Sequence, residues 1–203
     1  MAPSTTAATE PKRSEARERL LSTAMGIFYA DGIRTVGVDR IIAEAGVTKA
    51  TFYRHFPSKE DLVLAYLRTA HLAIRRELES VAETAERFDL LRAIAGGVAH
   101  DVCRPGFRGC AFINAGAEYA DAASPVRHLV KEHRDWFQQF LVDAFAAAGH
   151  TEPGAAADHF ALLRDGAMVR GYLSDPAAAG DMLVRGMDGM IRVIEGGWLD
   201  RPS

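Results

Sequence analysis

Residues 37–62 read GVDRIIAEAGVTKATFYRHFPSKEDL, and no other stretch constrains the fold so tightly. Val38, Ile41, Ile42 and Ala45 recur at helical spacing and describe a short amphipathic helix. Gly46 interrupts it. A second short helix starts near Thr48, carries Thr51, Phe52, Tyr53 and His55, and is stopped by Pro57, which lacks an N–H and clashes with the preceding turn. Ser58 is placed to cap a third helix, with Lys59, Glu60 and Asp61 in its first turn. Two short helices joined by a tight, glycine-containing turn form a helix-turn-helix, whose second helix enters the DNA major groove.

The side chains of that second helix suit the task. Thr48, Lys49, Thr51, Tyr53, Arg54 and His55 all offer hydrogen bonds, and none is acidic. Only Ala50 and Phe52 are apolar, and Phe52 can turn inward. A helix that served packing alone would show a wider apolar stripe. Within 33–59 there are five basic residues (Arg34, Arg40, Lys49, Arg54, Lys59) against two acidic ones (Asp39, Glu44). Residues 1–80 hold 12 Lys/Arg and 10 Asp/Glu, +2, whereas 81–203 hold 12 and 17, −5. The second part is therefore a poor surface for phosphate.

The segment AGVTKATFYRHFPSKEDL at 45–62 resembles the signature of the tetracycline-repressor (TetR) family, as does the upstream helix RLLSTAMGIFYADGI at 19–33. The resemblance covers about 14–75, and a weaker one extends to GCAFINAGAE at 109–118. It implies a DNA-binding head over 14–75 with its helix-turn-helix at 37–56, and a helical body over 76–203 that binds an inducer and dimerises. By that pattern, Thr48 and Lys49 lie near the helix N-terminus as phosphate or base-edge contacts. Thr51 and Arg54 share the reading helix, Tyr53 and His55 resemble a backbone-clamping pair, and Lys59 a phosphate contact. Arg40 joins this set from the helix before. Many members carry Ser or Thr just before the second helix. Here Val36 and Gly37 stand there, so that hydrogen bond is missing or shifted to Thr35.

Composition fits this picture. Among 203 residues, 48% are hydrophobic, enough for a sizeable core, while strand-like alternation is nearly absent. The reading is all-α, with about nine helices. The first runs over about 14–30 with Ser14 as its N-cap, the second over 38–45, the third over 48–56 and the fourth over 59–82. Five more lie near 87–103, 109–120, 124–148, 153–173 and 177–198, the last reaching Trp198. Residues 1–13 read as a disordered arm in which Lys12 and Arg13 could touch DNA. No run approaches the ~18 apolar residues of a membrane span, and the first residues lack the apolar core of a signal peptide, so a cytoplasmic chain is expected.

In the second part, Phe107, Cys110, Phe112, Trp136 and Phe137 could line a small-molecule pocket, with Asn114, Glu118, His128 and His133 as polar anchors. A packed core would read the same way, and the resemblance favours the pocket. Glycines 166, 171, 180, 186 and 189 in the last two helices suggest close helix approach. The stripe Leu183, Met187, Met190 and Ile194 suits the dimer interface that the family builds from those helices, or equally internal packing.

The expected function is a ligand-responsive, DNA-binding regulator. Its partners would be a double-stranded operator, a small-molecule effector and a second copy of itself. An alternative reading keeps DNA binding but senses redox state through Cys103 and Cys110. An enzyme with a borrowed head is disfavoured, because no nucleophile elbow, P-loop or dinucleotide glycine pattern is present. No cofactor is expected. No metal is expected either, since His128 and His133 are five apart and not on one helical face.

Overall fold

A computed structural model describes residues 15–196. Those residues form nine α-helices and no strand: α1 (Glu15–Asp31), α2 (Val38–Ala45), α3 (Lys49–His55), α4 (Lys59–Ala82), α5 (Arg87–Val102), α6 (Ala111–Glu118), α7 (Pro125–Ala147), α8 (Pro153–Leu173) and α9 (Pro176–Gly196). The all-α expectation is met. Ser14, Trp198 and the arm at 1–13 lie outside the described residues.

Local chemistry sets these boundaries. Gly46 ends α2 in the left-handed conformation (φ 62°, ψ 40°), which a Cβ would strain. The Thr48 hydroxyl caps α3 by accepting from the Thr51 N–H at 3.2 Å. Ser58 and Asp61 form a reciprocal cap on α4. The Asp61 N–H donates to Ser58 Oγ at 3.1 Å, and the Ser58 N–H donates to Asp61 Oδ2 at 2.9 Å. Ser124 caps α7 ahead of Pro125 by accepting from the Arg127 N–H at 3.2 Å. Pro176 opens α9, and Asp175 accepts from the Ala178 N–H at 3.0 Å, so the Asp-Pro pair starts this helix.

The chain packs as two units that divide between Tyr66 and Leu67, inside α4. The first unit comprises α1, α2, α3 and the start of α4. Leu20, Phe28, Ile41, Phe52, Phe56 and Leu62 are buried at its centre. Phe28 meets Tyr66 with ring centroids 6.0 Å apart, and Phe52 meets Phe56 at 6.2 Å. Phe28, Phe52 and Phe56 thus hold the head together.

In the second unit α5, α7, α8 and α9 surround one apolar cluster that includes Leu91, Leu141, Phe145, Phe160, Leu183 and Met187. Of the two readings left open for the α9 stripe, internal packing holds for Leu183 and Met187. Leu183 and Met187 are each 1% exposed, and Met190 and Ile194 pack against the same cluster. Leu183 and Met187 are thus used up inside the protomer, whereas Met190 and Ile194 are only partly buried. Apolar residues left in water lie elsewhere: Leu162, Val169 and Leu173 on α8, and Met182 and Val193 on α9.

The glycines of α8 and α9 divide in the same way. A Cβ on Gly171 would lie 2.2 Å from Val102 Cγ1, and one on Gly180 3.3 Å from the Ala99 Cβ, so both admit α5. Gly166 and Gly189 have nothing within 4 Å among the described residues. Gly171→Ala is therefore expected to destabilise by about 1–3 kcal/mol through overpacking against a stiff valine. Gly97→Ala, in open space on α5, should stabilise by up to about 1 kcal/mol from helix propensity. Thermal denaturation of both variants checks this; similar melting temperatures would refute the close approach.

Candidate nucleic-acid interface and buried cleft

α3 has seven residues, too few to persist alone in water, so packing fixes its orientation. Phe52 is fully buried, which turns Lys49, Ala50, Tyr53 and Arg54 outward. Tyr53 is 45% exposed and leans its ring edge on Phe52, with centroids 5.1 Å apart. Thr51 and His55 are half-buried at the flanks. Thr48 holds Thr51 by a hydroxyl–hydroxyl bond of 2.9 Å as well as by the cap. Lys59 is half-buried, its ammonium 6.0 Å from the Phe28 ring centre. The exposed face thus presents a hydroxyl, an ammonium, a phenol and a guanidinium from one helix, the donor types that phosphates and base edges accept.

Lys49, Arg40 and Thr35, expected at the DNA, have intramolecular partners. Lys49 pairs with Asp39 at 3.2 Å, and Arg40 bridges Asp31 and Glu44, both at 2.7 Å. These pairs are solvent-exposed and individually weak, so phosphate can compete for the cations. The Thr35 hydroxyl donates back to the Asp31 carbonyl at 2.5 Å. The N-cap position of α2 belongs to Gly37, with no side-chain cap. Thr35 therefore closes the end of α1 and does not cap α2.

The second unit contains a narrow cleft with a free volume of about 20 Å³. Phe112, Phe137 and Ala161 form its apolar walls; Cys110, His133, Arg134, Gln138, Arg164 and Asp165 supply the polar ones. Of the residues expected here, Cys110, Phe112, His133 and Phe137 line it. Phe107, Asn114, Glu118 and Trp136 do not. Asn114 donates to the Arg108 carbonyl at 2.8 Å and ties down the preceding loop. Trp136 packs beside His71 and Phe140, with centroids 5.3 and 5.8 Å away. His128 is likewise absent from the walls.

Arg164 and Asp165 escaped the sequence reading, although a signal existed. Ala157, Phe160, Ala167 and Gly171 mark the buried face of α8, and Arg164 falls on that face at i+4 from Phe160. Arg164 is only 8% exposed. Its Nη1 donates to Asp165 Oδ1 at 2.8 Å, and its Nη2 points to the Cys110 sulfur at 3.4 Å. Arg134 donates to the other oxygen of Asp165 at 2.8 Å. Burial by itself raises the Asp165 pKa, but the hydrogen bonds from Arg134 and Arg164 outweigh it and keep the carboxylate below its usual range. Cys103 lies apart from this cluster, exposed at the end of α5 and donating to the Pro176 carbonyl at 3.5 Å.

His133 is 3% exposed and stacks on Phe112 at 3.5 Å between centroids, 9° from parallel. Its Nδ1 shares a proton with Nδ1 of His71 across 3.0 Å. Burial first, then the charges of Arg164, His71 and Arg134, push its pKa from 6.5 down to about 3. The folded chain therefore keeps His133 neutral where the unfolded chain protonates it, and stability is lost as pH falls from about 6.5 towards 3. This group contributes a slope of at most about 1.4 kcal/mol per pH unit. The unfolding free energy of His133→Phe should fall less steeply over that window than that of the wild type. Parallel pH profiles would show that His133 is not buried in its neutral form.

Residues 20–66 match the family described as bacterial regulatory proteins, tetR family. The fold is similar to the crystal structure of a TetR-family transcriptional regulator from Streptomyces coelicolor. That likeness has 46% identity and a TM-score of 0.86, and it covers 90% of this chain and 97% of that one. Among curated relatives, the transcriptional activator FasR of Mycolicibacterium smegmatis is 35% identical over 80 residues, 37% of this chain and 36% of FasR. The transcriptional regulator AcuR of Cereibacter sphaeroides is 27% identical over 173 residues, 80% of this chain and 79% of AcuR. The chain thus spans little more than a third of FasR and most of AcuR.

Proposed function

Because this chain belongs to the tetR family of bacterial regulatory proteins, we propose that it is a homodimeric repressor that a small molecule releases from a pseudo-palindromic operator. The observation that carries the reading is α3, with Phe52 buried and Lys49, Tyr53 and Arg54 turned outward. Each protomer places α3 in a major groove, and the two-fold axis sets the half-sites about 34–36 Å apart. The effector occupies the second unit, and α4, which contributes to both units, carries the response. Release requires that the effector bind the DNA-free state more tightly than the DNA-bound one. The absence among the described residues of any helix long and apolar enough to cross a membrane is compatible with this role.

The dimer surface we assign is the exposed apolar stripe of α8 and α9. Leu162, Gly166, Val169 and Leu173 follow one face of α8, and Met182, Gly189 and Val193 one face of α9. The bare glycines let a partner helix approach closely. Val169→Asp should give folded monomers in light scattering with unchanged helicity. Met187→Asp, which buries a charge in the core, should instead unfold the second unit. A dimer that survives Val169→Asp and Leu173→Asp together would place the interface elsewhere.

Fluorescence anisotropy on DNA from upstream of the protein's own gene tests the reading role of α3. Lys49→Ala and Tyr53→Ala should each weaken specific binding, by about 1–3 kcal/mol where the contact is to a base. A phosphate contact would instead lower the slope of log affinity against log salt by about one unit. Affinity and salt slope both unchanged in the double variant would remove α3 from the reading role.

A further inference from the structure

We propose that the cleft beside α8 is a receptor for a small organic monocarboxylate, gripped by the guanidinium edge of Arg164. The inference rests on the reading above that the second unit holds the effector, and it names the chemical class of that effector.

A guanidinium carries five N–H donors in a rigid fork, and buried donors require acceptors. Arg164 is buried on the core-facing side of α8, yet only its Nη1 meets an oxygen, Asp165 Oδ1 at 2.8 Å. Its Nε has no hydrogen-bond partner among the described residues. Its Nη2 meets only the Cys110 sulfur at 3.4 Å, a weak acceptor. Nε and Nη2 together form the side of the fork on which a carboxylate seats two parallel hydrogen bonds. Among the described residues, that side lacks an oxygen.

Charge points the same way. Asp165 is shared between Arg164 and Arg134, each at 2.8 Å, so two cations in the walls face one anion. His133 adds no charge at neutral pH. Asp158 holds Gln138 at 2.7 Å but is exposed, so solvent screens it. The cleft is therefore one negative charge short, which suits a monoanion better than a phosphate dianion. The apolar part of the ligand has its own surface: Phe112 stacked on His133, the Phe137 ring 5.4 Å from the Arg164 guanidinium carbon, and Ala161. Seating the carboxylate displaces the Cys110 sulfur from Nη2, and so moves the segment that starts α6.

Isothermal titration of the full-length dimer with butanoate, benzoate, benzamide and inorganic phosphate tests the assignment. Saturable binding of butanoate or benzoate in the micromolar to millimolar range is expected, with benzamide and phosphate at least tenfold weaker. Arg164→Lys keeps the charge but loses the fork, and should weaken carboxylate binding at least tenfold. Circular dichroism and operator binding of that variant show whether it remains folded; should it not fold, Ala161→Leu, which narrows the cleft and leaves the fork in place, should weaken benzoate binding at least tenfold, and an unchanged affinity there overturns the proposal. Benzamide binding as tightly as benzoate, or an unchanged affinity in folded Arg164→Lys, overturns the proposal, as does the lack of binding by both carboxylates to millimolar concentration. Operator release distinguishes the two levels. Carboxylate that binds through Arg164 without releasing DNA leaves the receptor in place and refutes the repressor reading. Release by neutral compounds alone does the reverse.

Discussion

The burial of the Phe52 ring fixes everything that α3 shows to its surroundings. A seven-residue helix has no stability of its own, and one fully buried side chain within it decides which residues turn outward. Phe56 repeats the anchor at the end of the helix, under the Arg17 guanidinium at 5.1 Å. Thr48 closes one end of α3, and Pro57 with the Ser58–Asp61 cap closes the other, so it can neither lengthen nor slide. The outer face of α3 is set because its foundations are apolar and its ends are capped; the polar residues on it need only the correct side to stand on.

In the second unit the same principle appears with a charge in the place of a ring. α8 sends Phe160 and Ala167 into the core, and between them Arg164. Burying a guanidinium is costly unless it is paired and fully hydrogen-bonded, and here the pairing with Asp165 leaves part of the fork without an oxygen. Replacing such a group by an apolar one of similar size often raises stability. A residue kept at that cost belongs to function more readily than to folding, and its position against Phe112, Phe137 and His133 gives the function a chemistry.

Much of this was legible in the sequence because helix ends are written in local chemistry. Gly46, Thr48, Pro57, Ser58, Pro125 and Pro153 each act through their own backbone or their nearest neighbours, and the elements begin and end at them. Helix faces were less legible. In α9 Met182, Leu183 and Val184 are consecutive, so apolar spacing admits more than one stripe. Leu183 and Met187 proved to be core because α5 and α8 lie against them, a tertiary fact with no local signature. The cleft was half legible for the same reason. Aromatic residues announced Phe112 and Phe137, whereas Trp136, one position from Phe137, turns away towards His71. Thr35 shows the limit of motif transfer: its hydroxyl is present near the expected place, but it bonds back to the end of α1.

In the function proposed above, two copies of α3 read DNA about a symmetry axis. Selection of binding sites by the full chain from a random DNA pool tests it most directly. A dimeric reader should enrich a pseudo-palindrome whose half-sites are separated by about one turn of the double helix. Enrichment of a single unrepeated half-site, or of no common sequence, would contradict it.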